Sequence, residues 1–247
     1  MSEFKLPTEE VELPSKGLIY PKDNPLSSGK IEMKYMTAKE EDILTNQNYI
    51  KQGIVLDKLI KSLIISKVNY DDMIVGDRNA VLIAARILGY GKDYDFNYKG
   101  EDVTIDLTEL DTKHLDESTM INGTNEFAFI LPYTNTPITY KLLTNKDEKQ
   151  IEAEIKGLKK INKQASPELS TRLKFMITSV NGETEMKDIR DFVDNYMLAR
   201  DSRAFREHIR DTQPDIEMKF DFEGPNGTEE DATVPMTAAF FWPDAWV

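Results

Sequence analysis

An acidic stretch near the middle of the chain has the spacing that begins a calcium-binding loop. Asp93, Asp95 and Asn97 occupy the first, third and fifth positions, where carboxylate and amide oxygens bind the cation. The sixth position, which requires glycine, holds Tyr98, and the twelfth, which requires glutamate, holds Thr104. The sequence therefore favours an acidic β-hairpin, and a metal-dependent enzyme that uses this hairpin is the more remote alternative.

The residues that most enzymes use for nucleophilic or metal-assisted catalysis are scarce. The chain has no cysteine, and neither of its histidines, His114 and His208, has a partner in a known motif. Its 44 acidic residues are too numerous for any pair of carboxylates to stand out as a general acid and base. The glycines before Lys92 lack the spacing of a phosphate-binding loop. The sequence predicts no catalytic residue, no cofactor, no metal site and no enzyme.

The charge of the chain restricts its partners. With 31 basic and 44 acidic residues, the formal net charge at pH 7 is -13, whereas a nucleic-acid-binding surface needs a concentrated basic patch. No apolar run is long enough for a transmembrane helix, and no signal peptide is evident. The absence of cysteine is compatible with a reducing cytoplasm. We therefore expect neither nucleic acid nor a membrane as a partner.

One basic feature stands out in this acidic chain. Four arginines recur at helical spacing: Arg200, Arg203, Arg206 and Arg210. Three acids in the same stretch can neutralise them: Asp201, Glu207 and Asp211. The pattern fits either a solvated face of ion pairs or a surface that binds a partner.

Both ends of the chain carry apolar side chains that must be covered. Near the N-terminus, Leu18, Ile19 and Tyr20 lie between two prolines, and the segment is predicted to be a rigid extended arm that presses on another surface. Near the C-terminus, four large aromatic residues fall within eight positions: Phe240, Phe241, Trp242 and Trp246. Such side chains form hot spots of interfaces, or they pack on the protein's own sheet. These residues and the four arginines are the candidate partner-binding residues.

Residues 77–94 are predicted to be a helix at the centre of the core, followed by a turn. Asp77 is predicted to cap the helix N-terminus, because a carboxylate can accept hydrogen bonds from unpaired backbone N–H groups. Residues 81–88 have almost no polar face, which is typical of an enclosed helix. Gly89 is predicted to end the helix, and Gly91 to allow a second sharp turn.

The elements before this helix have clear local signals. Alternating apolar and polar residues over 30–36 predict a half-buried strand. Thr37 and Glu40 form the pattern of a capping box, so a helix is expected over 38–46. A further amphipathic helix follows Gly53.

The later part of the chain is β-rich and then helical. The predicted strands are 96–98, 103–107, 126–131 and 138–143, in a small antiparallel sheet. A charged helix with a narrow apolar seam begins at Asn145, and a second, after Pro167, has an apolar face that reaches Ile177 and Val180. Further helices follow Gly182, and residues 216–222 alternate as a strand.

These elements predict an α+β fold with three parts. The first, 1–144, is a mixed domain with helices and antiparallel strands, and the second, 145–212, is a helical subdomain. The third, 213–247, is a closing strand with an aromatic C-terminal tail.

The order of the segments resembles one known family. The chain contains, in this order, PSKGLIYP, a strand, MTAKEEDIL, an amphipathic helix and GDRNAVLIAARILGYGKDY, and it ends with VPMTAAFFWPD followed by three further residues. This order is similar to that of the baseplate hub assembly proteins of T-even-type contractile-tailed bacteriophages. The similarity is strongest over about residues 13–145 and at the last dozen residues, and it constrains the helical part between them only weakly. Some members of that family have cysteine pairs after the tyrosine–glycine turn; this chain has none, so the resemblance implies no metal here.

The resemblance implies a non-catalytic protein that helps to build the central hub of the phage tail baseplate, in the manner of an assembly chaperone. Its partners would be other phage baseplate hub or tail proteins. Its location would be the host cytoplasm during assembly. The alternative is a permanent structural subunit of the virion baseplate or tail.

Overall fold

A computed structural model of the chain describes residues 6–121, 123–163, 166–224, 227–236 and 240–242, which adopt the predicted α+β fold. The helices are α1 (Ala38–Leu44), α2 (Gln47–Gln52), α3 (Val55–Leu63), α4 (Val75–Tyr90), α5 (Asn145–Ile161), α6 (Glu168–Met176), α7 (Met186–Asp191) and α8 (Ala199–Thr212). The strands are β1 (Thr8–Glu12), β2 (Lys30–Lys34), β3 (Asp93–Tyr98), β4 (Glu101–Asp106), β5 (Thr112–Lys113), β6 (Phe127–Ile130), β7 (Pro137–Tyr140), β8 (Ile177–Val180), β9 (Asp215–Ile216), β10 (Lys219–Gly224) and β11 (Gly227–Thr233).

The strands form small sheets, and every pairing between these strands is antiparallel. Four sheets have two strands, β1–β2, β3–β4, β5–β9 and β10–β11, and one has three, in the order β6–β7–β8. The predicted hairpin around Gly100 is confirmed: Lys99 and Gly100 both have positive φ angles, 52° and 94°, as a tight two-residue hairpin turn requires. The predicted strands on either side of residues 132–136 also pair with each other, but they belong to a different sheet from the hairpin, so the single small sheet that the sequence predicts is wrong.

The third strand of the β6–β7–β8 sheet corrects one prediction. The sequence predicts that Ile177 and Val180 continue a helix, but α6 ends at Met176 and β8 follows directly. Two of the four residues of β8 are apolar and β-branched, which favours a strand. They also meet a free edge of β7, where Ile138 pairs with Val180. Pairing with a distant strand therefore overrides the local helical pattern.

Helix α4 is largely buried, as predicted, but both of its ends differ from the prediction. Ile74 occupies the N-terminal capping position, and Asp77 lies inside the first turn. Gly89 is within the helix, and Gly91, with a φ angle of 87°, ends it. The helix is therefore longer at both ends than the sequence pattern indicates.

The buried Asp77 carboxylate connects α4 to the N-terminal segment. It accepts hydrogen bonds from Ser15 N–H at 2.9 Å, from Ser15 Oγ at 2.7 Å and from the Tyr20 hydroxyl at 2.6 Å. The Tyr20 oxygen in turn accepts a hydrogen bond from Ile74 N–H at 3.0 Å. Burial raises the pKa of the Asp77 carboxyl, and the hydrogen bonds from Tyr20 and Ser15 oppose this rise. Asp77 thus holds two distant segments together instead of capping its own helix.

The segment before β2 is also more compact than predicted. Residues 14–20 form successive turns, in which Lys16 N–H donates to Leu13 O at 2.8 Å and Tyr20 N–H donates to Gly17 O at 3.2 Å. Lys16 and Gly17 have positive φ angles, 52° and 76°, which reverse the direction of the chain. The predicted extended arm is therefore wrong, because local backbone hydrogen bonds fold it into turns.

One hydrophobic cluster contains side chains from each of the three predicted parts, among them Leu88, Leu173 and Phe240. Helix α5 also joins the first part directly, since Asn145 Nδ2 donates to Tyr70 O at 2.8 Å. The boundaries at residues 144 and 212 stay a prediction.

Close contact of two backbones at Gly76 leads to a stability prediction. A Cβ atom at Gly76 would lie 1.8 Å from the carbonyl oxygen of Pro214, whereas one at Gly157 in α5 would meet open space. We expect Gly76→Ala to lower the free energy of unfolding by about 2 kcal/mol, because backbone must move. Gly157→Ala should raise it by up to about 1 kcal/mol through helix propensity. Urea unfolding measures both, and equal stabilities of the two variants would contradict the close approach.

Candidate functional site

The apolar residues predicted near the N-terminus lie mostly inside the protein. Ile19 and Tyr20 are buried, and only Leu18 is partly exposed. Tyr20 is held by Asp77, and its hydroxyl pKa is raised, chiefly by burial. Ile19 and Tyr20 are therefore core residues rather than a partner-binding surface.

The C-terminal aromatic residues are also turned inward where the structure describes them. Phe240 and Phe241 are 0% and 3% exposed, and the Phe240 ring packs edge-on against Tyr94, with 4.9 Å between ring centroids. Trp242 is partly exposed, and its Nε1 donates a hydrogen bond to Leu44 O at 2.9 Å. Trp246 lies outside the described residues. The sequence left open whether these aromatic residues bind a partner or pack within the protein. Phe240 and Phe241 pack within the protein's own core.

The four arginines lie on α8, whose opposite face packs on the β6–β7–β8 sheet. Phe205 is fully buried against Phe129 and Tyr140. His208 stacks on Phe129, with 4.4 Å between ring centroids, and its Nε2 lies 2.9 Å from the Tyr140 hydroxyl. Burial lowers the pKa of His208, which favours the neutral ring. This packing fixes the helix and leaves its arginine face outward.

The arginines do not form one uniform surface. Arg203 pairs with Glu207 at 2.9 Å, and Arg210 pairs with Asp211 at 2.9 Å. The hydrogen bond with Arg210 holds the pKa of Asp211 below its usual range. These two arginines therefore match the ion-paired interpretation of the stripe. Exposed pairs of this kind contribute little to stability.

Arg200 has a different neighbour, an aromatic ring. Its guanidinium carbon lies 5.6 Å from the centroid of the Tyr133 ring, within the range of a cation–π interaction. Among the ion pairs of the described residues, none includes Arg200. Tyr133 is 57% exposed and Leu198, just before α8, is 50% exposed. Arg200 therefore lies on a surface that combines apolar, aromatic and cationic groups.

Asp201 explains why Tyr133 lies beside Arg200. Its carboxylate is buried in the first turn of α8, where the helix dipole favours a negative charge. Asp201 Oδ1 accepts a hydrogen bond from Tyr133 N–H at 2.8 Å, so the turn between β6 and β7 is held against α8. Asp201 therefore positions the turn. The sequence suggested instead that Asp201 neutralises the arginines.

The resulting surface is a shallow depression of about 340 Å³. Its lining is Tyr133, Arg200, Arg203, Ala204 and Glu207. We call this depression, together with Leu198, the α8 patch. Sequence reasoning found the arginines by their spacing but missed Tyr133 and Leu198. The available signal was an aromatic residue in a turn between two strands, where exposure to water is expected.

The acidic hairpin is occupied by its own hydrogen bonds. Thr104 Oγ1 donates to Asp95 at 2.6 Å, and Asn97 Nδ2 donates to Asp102 at 3.0 Å. Within the described ranges, no group of three or more acidic or histidine side chains is arranged to hold a metal ion. The segment forms the acidic β-hairpin that the sequence favoured, with β3 and β4 paired in antiparallel register.

The comparisons with known proteins give no family. No family model matches the chain, and neither a curated protein nor a solved structure shows a detectable similarity to it. None of the helices in the described residues combines the length and the apolar character that a membrane crossing needs.

Proposed function

We propose that the chain is a non-catalytic baseplate hub assembly factor of T-even-type contractile-tailed bacteriophages, which acts in the host cytoplasm through contacts with other hub or tail proteins. The order of its sequence motifs supports the family. The observation that supports protein binding is the exposed pair of Tyr133 and Arg200 in the α8 patch.

The composition of the α8 patch suits a protein interface. Tyrosine and arginine are enriched among hot-spot residues, because each combines a large contact area with directed hydrogen bonding. Arg200 can meet a partner's acceptor without first leaving an ion pair within the described residues. The backbone N–H of Tyr133 is held by a partly buried hydrogen bond to Asp201, so little additional order is required when a partner binds.

A pair of double variants tests the patch. We expect Tyr133→Ala with Arg200→Ala to weaken binding to hub or tail proteins about thirtyfold, since two hot-spot side chains together contribute about 2 kcal/mol or more. The control combines Tyr196→Ala, which removes a tyrosine that is 64% exposed, with Arg210→Ala on the exposed face of α8. The measurement is quantitative co-purification of tagged protein from infected cells, with folding checked by circular dichroism.

Two results would contradict the proposal. One is an equal loss of partners from both double variants, which would remove the α8 patch from the interface. The other is a wild-type chain that retains no tail protein, together with intact tails when its gene is deleted. Mass spectrometry of purified particles then separates the two forms of the hypothesis: an assembly factor should be absent from the virion, and a permanent subunit should be present in fixed proportion.

A further inference from the structure

A second concave surface opens where α4, α6 and α8 meet, and we call it the α6–α8 groove. Its volume is about 230 Å³. Its walls are mainly apolar and include Val75, Leu142, Leu169, Leu173, Met176 and Ile209. Leu169 is 46% exposed, so the mouth of the groove faces solvent.

The size of the groove limits what can enter it. A cavity of about 150 Å³ lined by apolar side chains is known to hold a benzene molecule. The α6–α8 groove is larger than this, so it can accept one leucine, methionine or phenylalanine side chain. It is too small for a whole helix.

The rim of the groove carries two arginines in different states. Arg172 donates to both carboxylate oxygens of Glu148, at 2.7 and 2.6 Å, and is neutralised by them. Arg206 donates from Nε to the backbone oxygen of Ser202 at 3.3 Å. Across the described ranges, Arg206 has no ion pair with a carboxylate, although the chain as a whole carries a net charge of -13.

The position of Arg206 on α8 adds to its unbalanced charge. It lies three residues after Arg203 and four residues before Arg210, the spacings at which like charges on a helix repel. Arg203 and Arg210 each have a carboxylate partner of their own. An anion from outside the chain would therefore relieve a local excess of positive charge at Arg206, which lies between two arginines that are already neutralised.

We propose that the α6–α8 groove binds an acidic peptide segment of a partner protein, with one apolar side chain in the groove and a neighbouring carboxylate on Arg206. The apolar walls select the apolar side chain of the peptide. The bound peptide covers these walls and excludes water, which strengthens the interaction between Arg206 and the peptide carboxylate. This surface is distinct from the α8 patch, because Arg206 and the apolar walls belong to one depression and Tyr133 and Arg200 to the other.

The test uses the purified full chain and three acetylated, amidated pentapeptides: Glu-Leu-Phe-Leu-Glu, Gln-Leu-Phe-Leu-Gln and Lys-Leu-Phe-Leu-Lys. Methyl NMR follows Leu169, Leu173 and Met176 during titration. We expect the acidic peptide to shift these methyl signals and to bind about fivefold to tenfold more tightly than the neutral one, since charge-assisted hydrogen bonds are stronger than neutral ones. The basic peptide should bind least.

Four substitutions locate the effect. Arg206→Gln should reduce the acidic peptide to the affinity of the neutral one, and Arg206→Lys should keep part of the preference. The matched control is Arg203→Gln, an exposed arginine one turn away that lies outside the groove, and it should lower the affinity far less than Arg206→Gln does. Leu169→Glu, at an exposed position, should repel the acidic peptide without unfolding the chain.

Several outcomes would overturn the inference: no change in the three methyl signals, equal affinities for the acidic and neutral peptides, or equal losses from Arg203→Gln and Arg206→Gln. Self-association that depends on Arg206, detected by sedimentation, would replace the partner peptide with a second copy of the chain. The peptide assay uses neither infected cells nor tail proteins, so its failure would leave the proposed assembly function untouched, and the reverse also holds.

Discussion

Asp77→Ala should lower the free energy of unfolding by about 3–4 kcal/mol, because it removes the acceptor of three buried hydrogen bonds. The backbone N–H of Ser15 and the Tyr20 hydroxyl would be left without this partner in a region that water does not reach. Each unsatisfied buried donor costs about 1–3 kcal/mol. Urea unfolding at neutral pH measures the loss.

The control for Asp77→Ala is Asp42→Ala, which removes an exposed acid on α1 and should change stability by less than about 0.5 kcal/mol.

Asp77→Asn separates charge from hydrogen bonding. Because the pKa of Asp77 is raised in the folded state, its protonated form is favoured there. The stabilisation that the raised pKa of Asp77 gives to the folded state is therefore complete at acid pH, and it is lost as pH rises through the folded-state pKa. The stability of wild type relative to Asp77→Asn should fall as pH rises, and a flat difference would contradict the raised pKa.

Phe240→Ala should lower the free energy of unfolding by about 3–5 kcal/mol, the usual cost of removing a fully buried phenylalanine. The ring has edge-on contacts with Tyr94 and Phe241, at centroid distances of 4.9 and 5.0 Å, and the guanidinium of Arg86 lies 6.0 Å from its centroid. Its removal would leave a cavity beside the exit of α4. Thermal or urea unfolding measures the effect.

Two aromatic substitutions serve as comparisons for Phe240→Ala. Trp242→Ala should cost less, because its ring is partly exposed, although the hydrogen bond to Leu44 O is lost. Tyr196→Ala removes an exposed ring and should change stability by less than about 0.5 kcal/mol. A Phe240→Ala variant as stable as Tyr196→Ala would show that the C-terminal aromatics are not core.

Elements with local signals were predictable from the sequence. The alternation around Ile31 and Met33 identifies β2, and Thr37 and Glu40 form the predicted capping box at the start of α1. In both cases the pattern that predicts the element lies within a few residues of sequence, although β2 pairs with the more distant β1. The prediction that the helix continues over 177–180 is wrong, because this segment pairs as a strand with β7, which lies about 40 residues earlier.

The same distinction applies to the candidate site. Spacing along α8 revealed the arginines, since they share one helix face. It did not reveal which of them are neutralised, because Asp201 turns inward to bond Tyr133, 68 positions away. The local sequence around Ile19 and Tyr20 likewise did not show that both residues lie in the core. The decisive contact of Tyr20 is with Asp77, 57 positions away. Contacts at such separations leave no periodic trace in a sequence.

The contacts of the last described residues bear on how the chain reaches its native state. Trp242 donates to Leu44 O across 198 positions, and Phe240 packs on Tyr94 in the first half of the chain. Closing loops of this length carries an entropic cost before the contacts are gained, which slows folding. During synthesis, the pocket for Phe240 beside Tyr94 stays empty until the residues between them, and Phe240 itself, have been made. The core is therefore completed only after Phe240 has been made, and until then its apolar surface beside Tyr94 is open to chaperones or to premature association.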